Sequence, residues 1–180
     1  SVALKGRGSL LLGGHLGTAY FFSDQTGRMT TSTHYRAALP PWVADWNGSK
    51  IKEALRPMAV FTTISQRVRM HDVTVRDAGT WAVVHMEGSG LTVQRLTVRS
   101  ALGATHDGID IVDGHDVLIE DSVFESGDDS ICLKSGSARG TERVVVRRCQ
   151  TVQSGVANGV KFGTASVVAF RDILVEDVAV

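Results

Sequence analysis

A chain of 180 residues with 43% hydrophobic and 21% charged residues can bury a sizeable core and is too apolar to be disordered. Nineteen basic residues balance nineteen acidic ones, so no net field draws in nucleic acid or an anionic membrane. No apolar run reaches the roughly 18 residues of a membrane helix, and Cys132 and Cys149 have neither the number of a disulfide framework nor the spacing of a metal site.

The first segment, Val2-Ala-Leu-Lys, reads as a strand, and it lacks the basic start and apolar run of a signal peptide. Gly6, Gly8, Gly13 and Gly14 follow without a Gly-Lys-Ser/Thr sequence or a helical pattern, which makes them turn residues rather than a phosphate loop. Next comes a segment with all three prolines, Pro40, Pro41 and Pro57, and two tryptophans, Trp42 and Trp46, read as loop or core packing in preference to sugar stacking. The character changes near residue 58. Twenty-two of the 24 valines lie from Val60 onward and no proline does, which is the composition interior strands require.

This second region repeats. Apolar residues recur at offsets 0, 2, 5 and 7 in five segments that start at Val68, Leu91, Val117, Val144 and Ile173, with Ser122 and Thr151 as the two polar exceptions. The pattern describes a strand, a bend and a second strand in each coil. A further short strand follows in four of them: Ala82/Val84, Ile109/Ile111, Ile131/Leu133 and Val160/Phe162 are the expected inward pairs. No coil has a helical period or a leucine-rich consensus. The expected fold is all-β, a right-handed single-stranded parallel β-helix, with coils stacked about 4.8 Å apart. Residues 1–180 are expected to form one domain, 1–57 as an early coil plus a Pro/Trp-bearing loop and 58–180 as regular coils. Uncapped strand-like sequence at both termini suggests a piece of a longer solenoid.

Stacking the short strands on their inward pairs collects polar residues into outward columns. One holds Thr80, Asp107, Asp129 and Asn158; the next holds Val83, Asp110, Cys132 and Lys161; a third holds His85, Val112, Lys134 and Gly163. Asp128 adjoins Asp129. Taken singly, Gly127-Asp-Asp-Ser is a turn; two aspartate motifs one coil apart and in register make a carboxylate patch, flanked by Lys134, Lys161 and His85 as candidate substrate contacts, the two lysines alternatively as ion-pair partners of the aspartates. Carboxylates one rung apart repel, so one keeps its proton while a neighbour stays ionised. An acid and a base together are what glycoside hydrolysis uses. Cys149 is expected inside and Cys132 outside, without a mutual disulfide. His15, His34, His71 and His115 have no ligand spacing and read as surface residues.

Thr105-His-Asp-Gly-Ile-Asp-Ile, Ser126-Gly-Asp-Asp-Ser-Ile-Cys-Leu-Lys-Ser-Gly and Ala157-Asn-Gly-Val-Lys-Phe-Gly-Thr resemble, in order and spacing, three successive motifs of the polygalacturonase family of glycoside hydrolases, family 28. The resemblance runs from Arg56-Pro57 to the end. It implies a β-helix that hydrolyses galacturonosyl linkages of pectin with inversion and with no metal or cofactor. Asp128 would be the general acid, and Asp107 and Asp129 would hold and deprotonate the attacking water. Asp110, Lys134, Lys161, His85 and Asn158 are then the candidate substrate-binding residues, a pectic polysaccharide or oligosaccharide is the partner, the protein is a monomer, and the location is secreted or periplasmic. Asn158 stands where the family has a histidine, Thr105 where it has asparagine, and Val167-Val168 where bacterial relatives often have two glycines. The family's Arg-x-Lys pair does not occur in the chain. Related linkages such as those of rhamnogalacturonan therefore stay open. Two other readings compete: a Ca²⁺-dependent pectate lyase on the same kind of solenoid, and a non-catalytic carbohydrate-binding β-helix.

Overall fold

A computed structural model describes residues 2–5, 9–11, 58–101, 105–153 and 157–180. All the regular elements in it are strands, and all pair in parallel. Trp42, Trp46, His15, His34, the three prolines and the early glycines lie outside the described residues.

The first sheet stacks β1 (Val2–Lys5), β4 (Gln66–His71), β7 (Ser89–Gln94), β10 (His115–Glu120), β13 (Glu142–Gln153) and β15 (Arg171–Ala179). The second stacks β2 (Ser9–Leu11), β5 (Thr74–Arg76), β8 (Thr97–Ser100), β11 (Val123–Ser126) and the second half of β13. The third consists of β3 (Val60–Thr63), β6 (Val83–Met86), β9 (Ile109–Val112), β12 (Ile131–Ser135) and β14 (Val160–Ser166). Three sheets wound in this order, each strand on its counterpart one coil away, are a parallel β-helix. Among the described residues no helix is long and apolar enough to cross a membrane.

Up to the last coil the repeat positions are the interior ladders. Val68, Leu91, Val117, Val144 and Ile173 are successive partners, as are Leu4, Met70, Val93, Ile119 and Val146. In the last coil Ile173 and Val178 pack against the core, while Val175 and Val180, expected inward, are exposed. Val75, Val98, Phe124 and Thr151 form a third ladder. The two polar exceptions are satisfied inside: Ser122 donates to Glu120 O at 2.7 Å, and Thr151 to Ala179 O at 3.3 Å. Cys149 lies in the core, and both cysteines are free. His71 and His115, expected at the surface, are half-buried.

At the corner between the first and second sheets each coil places one residue at positive φ: Asp72, Arg95, Asp121, Arg148 and Asp177. The left-handed conformation is costly for residues other than glycine and mildest for Asp and Asn. Alternating the sign along the column sets each arginine against an acid one rung away. Arg95 bonds Asp72 at 2.6 Å, and Arg148 bonds Asp121 at 2.7 Å.

One register differs from expectation. Val83, not Ala82, pairs with Ile109, so the inward pair of β6 is Val83 and His85. His85 partners Ile111, is fully buried and belongs to the interior; it is not a substrate contact. A slip of one residue exchanges the faces of a strand. The imidazole fits because Nδ1 is hydrogen-bonded to Thr62 Oγ1 at 2.8 Å and because Gly88 leaves room, where a Cβ would lie 2.3 Å from His85 Cε1. Nε2 has no partner. Burial, with Arg139 nearby, lowers the His85 pKa from 6.5 to about 4. Between those values the unfolded chain takes up a proton that the native state refuses, so stability falls as pH drops from 6.5 toward 4. His85→Leu is expected to flatten urea-denaturation stability across that window; an unchanged pH dependence would refute the assignment.

Candidate active site

With the register corrected, the outward columns of the third sheet read Trp81, Asp107, Asp129, Asn158; then Val84, Asp110, Cys132, Lys161; then Met86, Val112, Lys134. Thr80, Val83 and His85 thus give way to Trp81, Val84 and Met86, and Gly163 leaves the third column because the register shifts after Leu133 and Phe162; the remaining positions from Asp107 onward stand as expected. Trp81 was missed by sequence reasoning. It becomes visible only when β6 is aligned from Val83.

The aspartates are held by main chain. Gly108 N donates to Asp129 O at 2.9 Å, and Ser130 N to Asn158 O at 2.9 Å, which locks three successive coils together under the patch. Gly108 has to be glycine, since a Cβ would lie 2.4 Å from Ser130 O. The Gly127-Asp128-Asp129 turn is braced by Ser126, whose hydroxyl donates to Asp128 O and bonds Ser130 Oγ, both at 2.7 Å.

Each carboxylate then meets a different environment. Asp129 is buried, and Lys161 Nζ donates to it at 2.7 Å, Asn158 Nδ2 at 2.7 Å and Asn158 N at 3.1 Å. Burial raises its pKa, but Lys161 and Asn158 outweigh that and hold it below the usual value. Asp128 is half-buried and accepts from Thr105 N at 2.9 Å and Asp129 N at 3.0 Å. Asp107 is 3% exposed. Burial first, then the charges of Asp110 and Asp128, push it up to about 8. Asp110 is fully buried and also raised by burial, with Lys134 opposing. The site thus separates a proton-holding carboxyl from an ionised one, as like charges in a shared pocket must.

Of its two expected roles Lys134 takes the ion pair. It is 6% exposed. Its ammonium lies 3.2 Å from Asp110 Oδ1, 3.0 Å from Cys132 Sγ, 3.2 Å from Gly163 O and 4.9 Å from the centroid of a Trp81 ring. An ammonium so engaged is an internal counterion and does not face a substrate carboxylate. Lys161, with a third of its side chain exposed, and the exposed Asn158 do face outward. Cys132, on an outward column, is nevertheless completely buried beneath these groups, and burial pushes its thiol up to about 12. Asp107, Asp110 and Cys132 have the donor types of a metal site, with ligand atoms within 4.8 Å of one another.

Comparison with known proteins adds three kinds of finding. The sequence model of the family described as glycosyl hydrolases family 28 matches residues 41–180. A probable polygalacturonase of Vitis vinifera is 26% identical over 147 residues, covering 76% of this chain and 29% of the relative. Two alkaline phosphatases also match over shorter stretches. PhoV of Synechococcus elongatus is 33% identical over 95 residues, 48% of this chain and 17% of its own length; PafA of Elizabethkingia meningoseptica is 46% identical over 55 residues, 30% and 10% respectively. The chain therefore spans less than a third of each of these relatives. No solved structure matches.

Proposed function

Because the chain belongs to family 28 of the glycosyl hydrolases, we propose that its carboxylate patch hydrolyses galacturonosyl or related rhamnogalacturonan linkages of pectin by an inverting acid/base mechanism. The observation that carries this reading is the stacking of Asp107 on Asp129 in one column, with Asp128 beside them and opposite electrostatic treatment of the two stacked carboxyls. Inverting hydrolysis needs one carboxyl to protonate the leaving oxygen and another to activate water on the opposite face of the sugar. Asp129, kept ionised by Lys161 and Asn158, is suited to the water. In the family-like division of labour Asp128 protonates the leaving group and Asp107 helps to hold the water that Asp129 deprotonates. The proton-holding character of Asp107 gives the site a second candidate acid.

Lys161 and Asn158 are the proposed contacts for a uronate carboxylate or hydroxyl on the C-terminal side of the aspartates. Asn158 can donate and accept where the family's histidine would titrate. Asp110 acts from inside, through its charge on Asp107. The whole chain from 58 to 180 works as one β-helical body, the partner is a pectic polysaccharide or oligosaccharide met by a monomer, and the setting is secreted or periplasmic.

The test is release of reducing ends from polygalacturonate and from rhamnogalacturonan by the native protein and by Asp128→Asn, with 4-nitrophenyl phosphate as a control for the phosphatase similarity. Release by the native protein, lost in Asp128→Asn, is expected. Equal release by both proteins, or turnover of the phosphate ester alone, would end this reading.

A further inference from the structure

We propose that Lys134 is the tethered cation of this site, a positioning residue whose ammonium stands among Asp107, Asp110 and Cys132 where a divalent metal ion would otherwise fit. That it positions carboxylates for hydrolysis rests on the reading above; that it is the cation of this pocket rests on geometry alone.

Two carboxyl groups and a thiol converge with all three residues buried and their ligand atoms within 4.8 Å of one another. The carboxylate among them is costly to bury without a compensating charge. Asp110 makes the need acute, because neither of its fully buried carboxylate oxygens has an aligned hydrogen-bond donor. The charge next to it is Lys134 Nζ, at 3.2 Å from Asp110 Oδ1, 3.0 Å from Cys132 Sγ and 4.0 Å from Asp107 Oδ2.

Those distances fit the occupant the pocket now has, since contacts of 3.0–4.0 Å suit an ammonium group. A zinc ion in its place would draw the oxygen and sulfur ligands in to about 2.0–2.3 Å. The rest of the surroundings suit it too, with Gly163 O accepting at 3.2 Å and a Trp81 ring centroid at 4.9 Å. Lys134 starts on β12 and its head meets groups from four coils. Its main chain is held at the far side, where its carbonyl accepts from Asp113 N at 3.0 Å and from Thr141 Oγ1. Removing the ammonium would leave two carboxylates and a thiol, a donor set that zinc or cadmium takes.

Cadmium titration of Lys134→Ala under reducing conditions tests this, read by the ultraviolet thiolate-to-metal band and by the shift in Tm. The variant is expected to bind one equivalent at least about tenfold more tightly than the native protein, with a rise in Tm from binding to the native state. Lys134→Ala/Cys132→Ser is expected to lose the band, and Lys134→Arg to behave as the native protein does. An equal band in the native protein, or neither a band nor a Tm rise in the variant, would overturn the proposal. A second measurement needs no variant: amine acylation at pH 9 followed by peptide mapping should modify Lys161 and spare Lys134, and equal modification of both would count against it. Failure of hydrolysis on every pectic substrate would leave these outcomes unaffected.

Discussion

Asp129→Asn is expected to lower kcat/KM for pectic substrates by about 10²–10⁴-fold, the usual worth of a positioned general base, while leaving the fold intact. Asparagine keeps the size and one acceptor of the side chain, so Asn158 retains a partner, but it cannot take a proton from water. Lys161 loses its countercharge at the same time, which places the loss in catalysis and substrate binding rather than in packing. The contrast with the acid sharpens the test. A substrate whose leaving group needs no protonation, such as an activated aryl galacturonide, should restore much of the activity of a variant that lacks the general acid and none of the activity of Asp129→Asn. If Asp107→Asn is restored in that assay and Asp128→Asn is not, the acid is Asp107, consistent with the burial and the charges that keep its proton on. If Asp129→Asn keeps native activity, the column is not catalytic.

Phe124→Ala is expected to cost about 3–5 kcal/mol of stability, the range for emptying an aromatic site in a packed core. Phe124 is fully buried, pairs between Val98 and Thr151 in the interior ladder, and presses on the coil at Gly108, where a Cβ would come within 3.0 Å of its ring. In a solenoid each coil contacts only its neighbours, so a cavity at one rung loosens the coils on either side. The coil on one side carries Asp107, the coil on the other carries Asn158 and Lys161, and Asp129 lies on the coil of Phe124 itself. The variant should therefore lose activity at temperatures where the native protein retains it. Urea denaturation at constant m-value measures the cost, and a change below about 1 kcal/mol would show that the interior is not packed as described.

The legible part of the fold was its longest-range regularity. The ladders through Val68, Leu91, Val117, Val144 and Ile173 could be read because inward and outward residues alternate cleanly there, and because polar residues at Ser122 and Thr151 were too few to hide the pattern. The same alternation in Ile109-Asp110-Ile111 and Ile131-Cys132-Leu133 put Asp107, Asp110 and Asp129 in register before any coordinates. The β6 segment offered no such alternation. Ala82, Val83 and Val84 are all apolar, so either parity satisfies the pattern, and the choice fell to whether an imidazole could be housed inside by Thr62 and the space at Gly88. That choice moved His85 into the core and brought Trp81 into the column of Asp107 and Asp129.

By itself the sequence determined the solenoid, its inward ladders and the meeting of the aspartates, because a period of two residues within strands and a recurring coil suffice to say which positions share a rung. Only the tertiary structure decided what each charge does. Lys134 and Lys161 are both outward lysines on neighbouring strands, and their sequence positions make them equivalent. One is drawn inward by a buried thiol and an Asp110 carboxylate without aligned donors, and the other stays near solvent on Asp129. A long flexible side chain is committed by the charges and cavities within its reach, and those belong to four different coils.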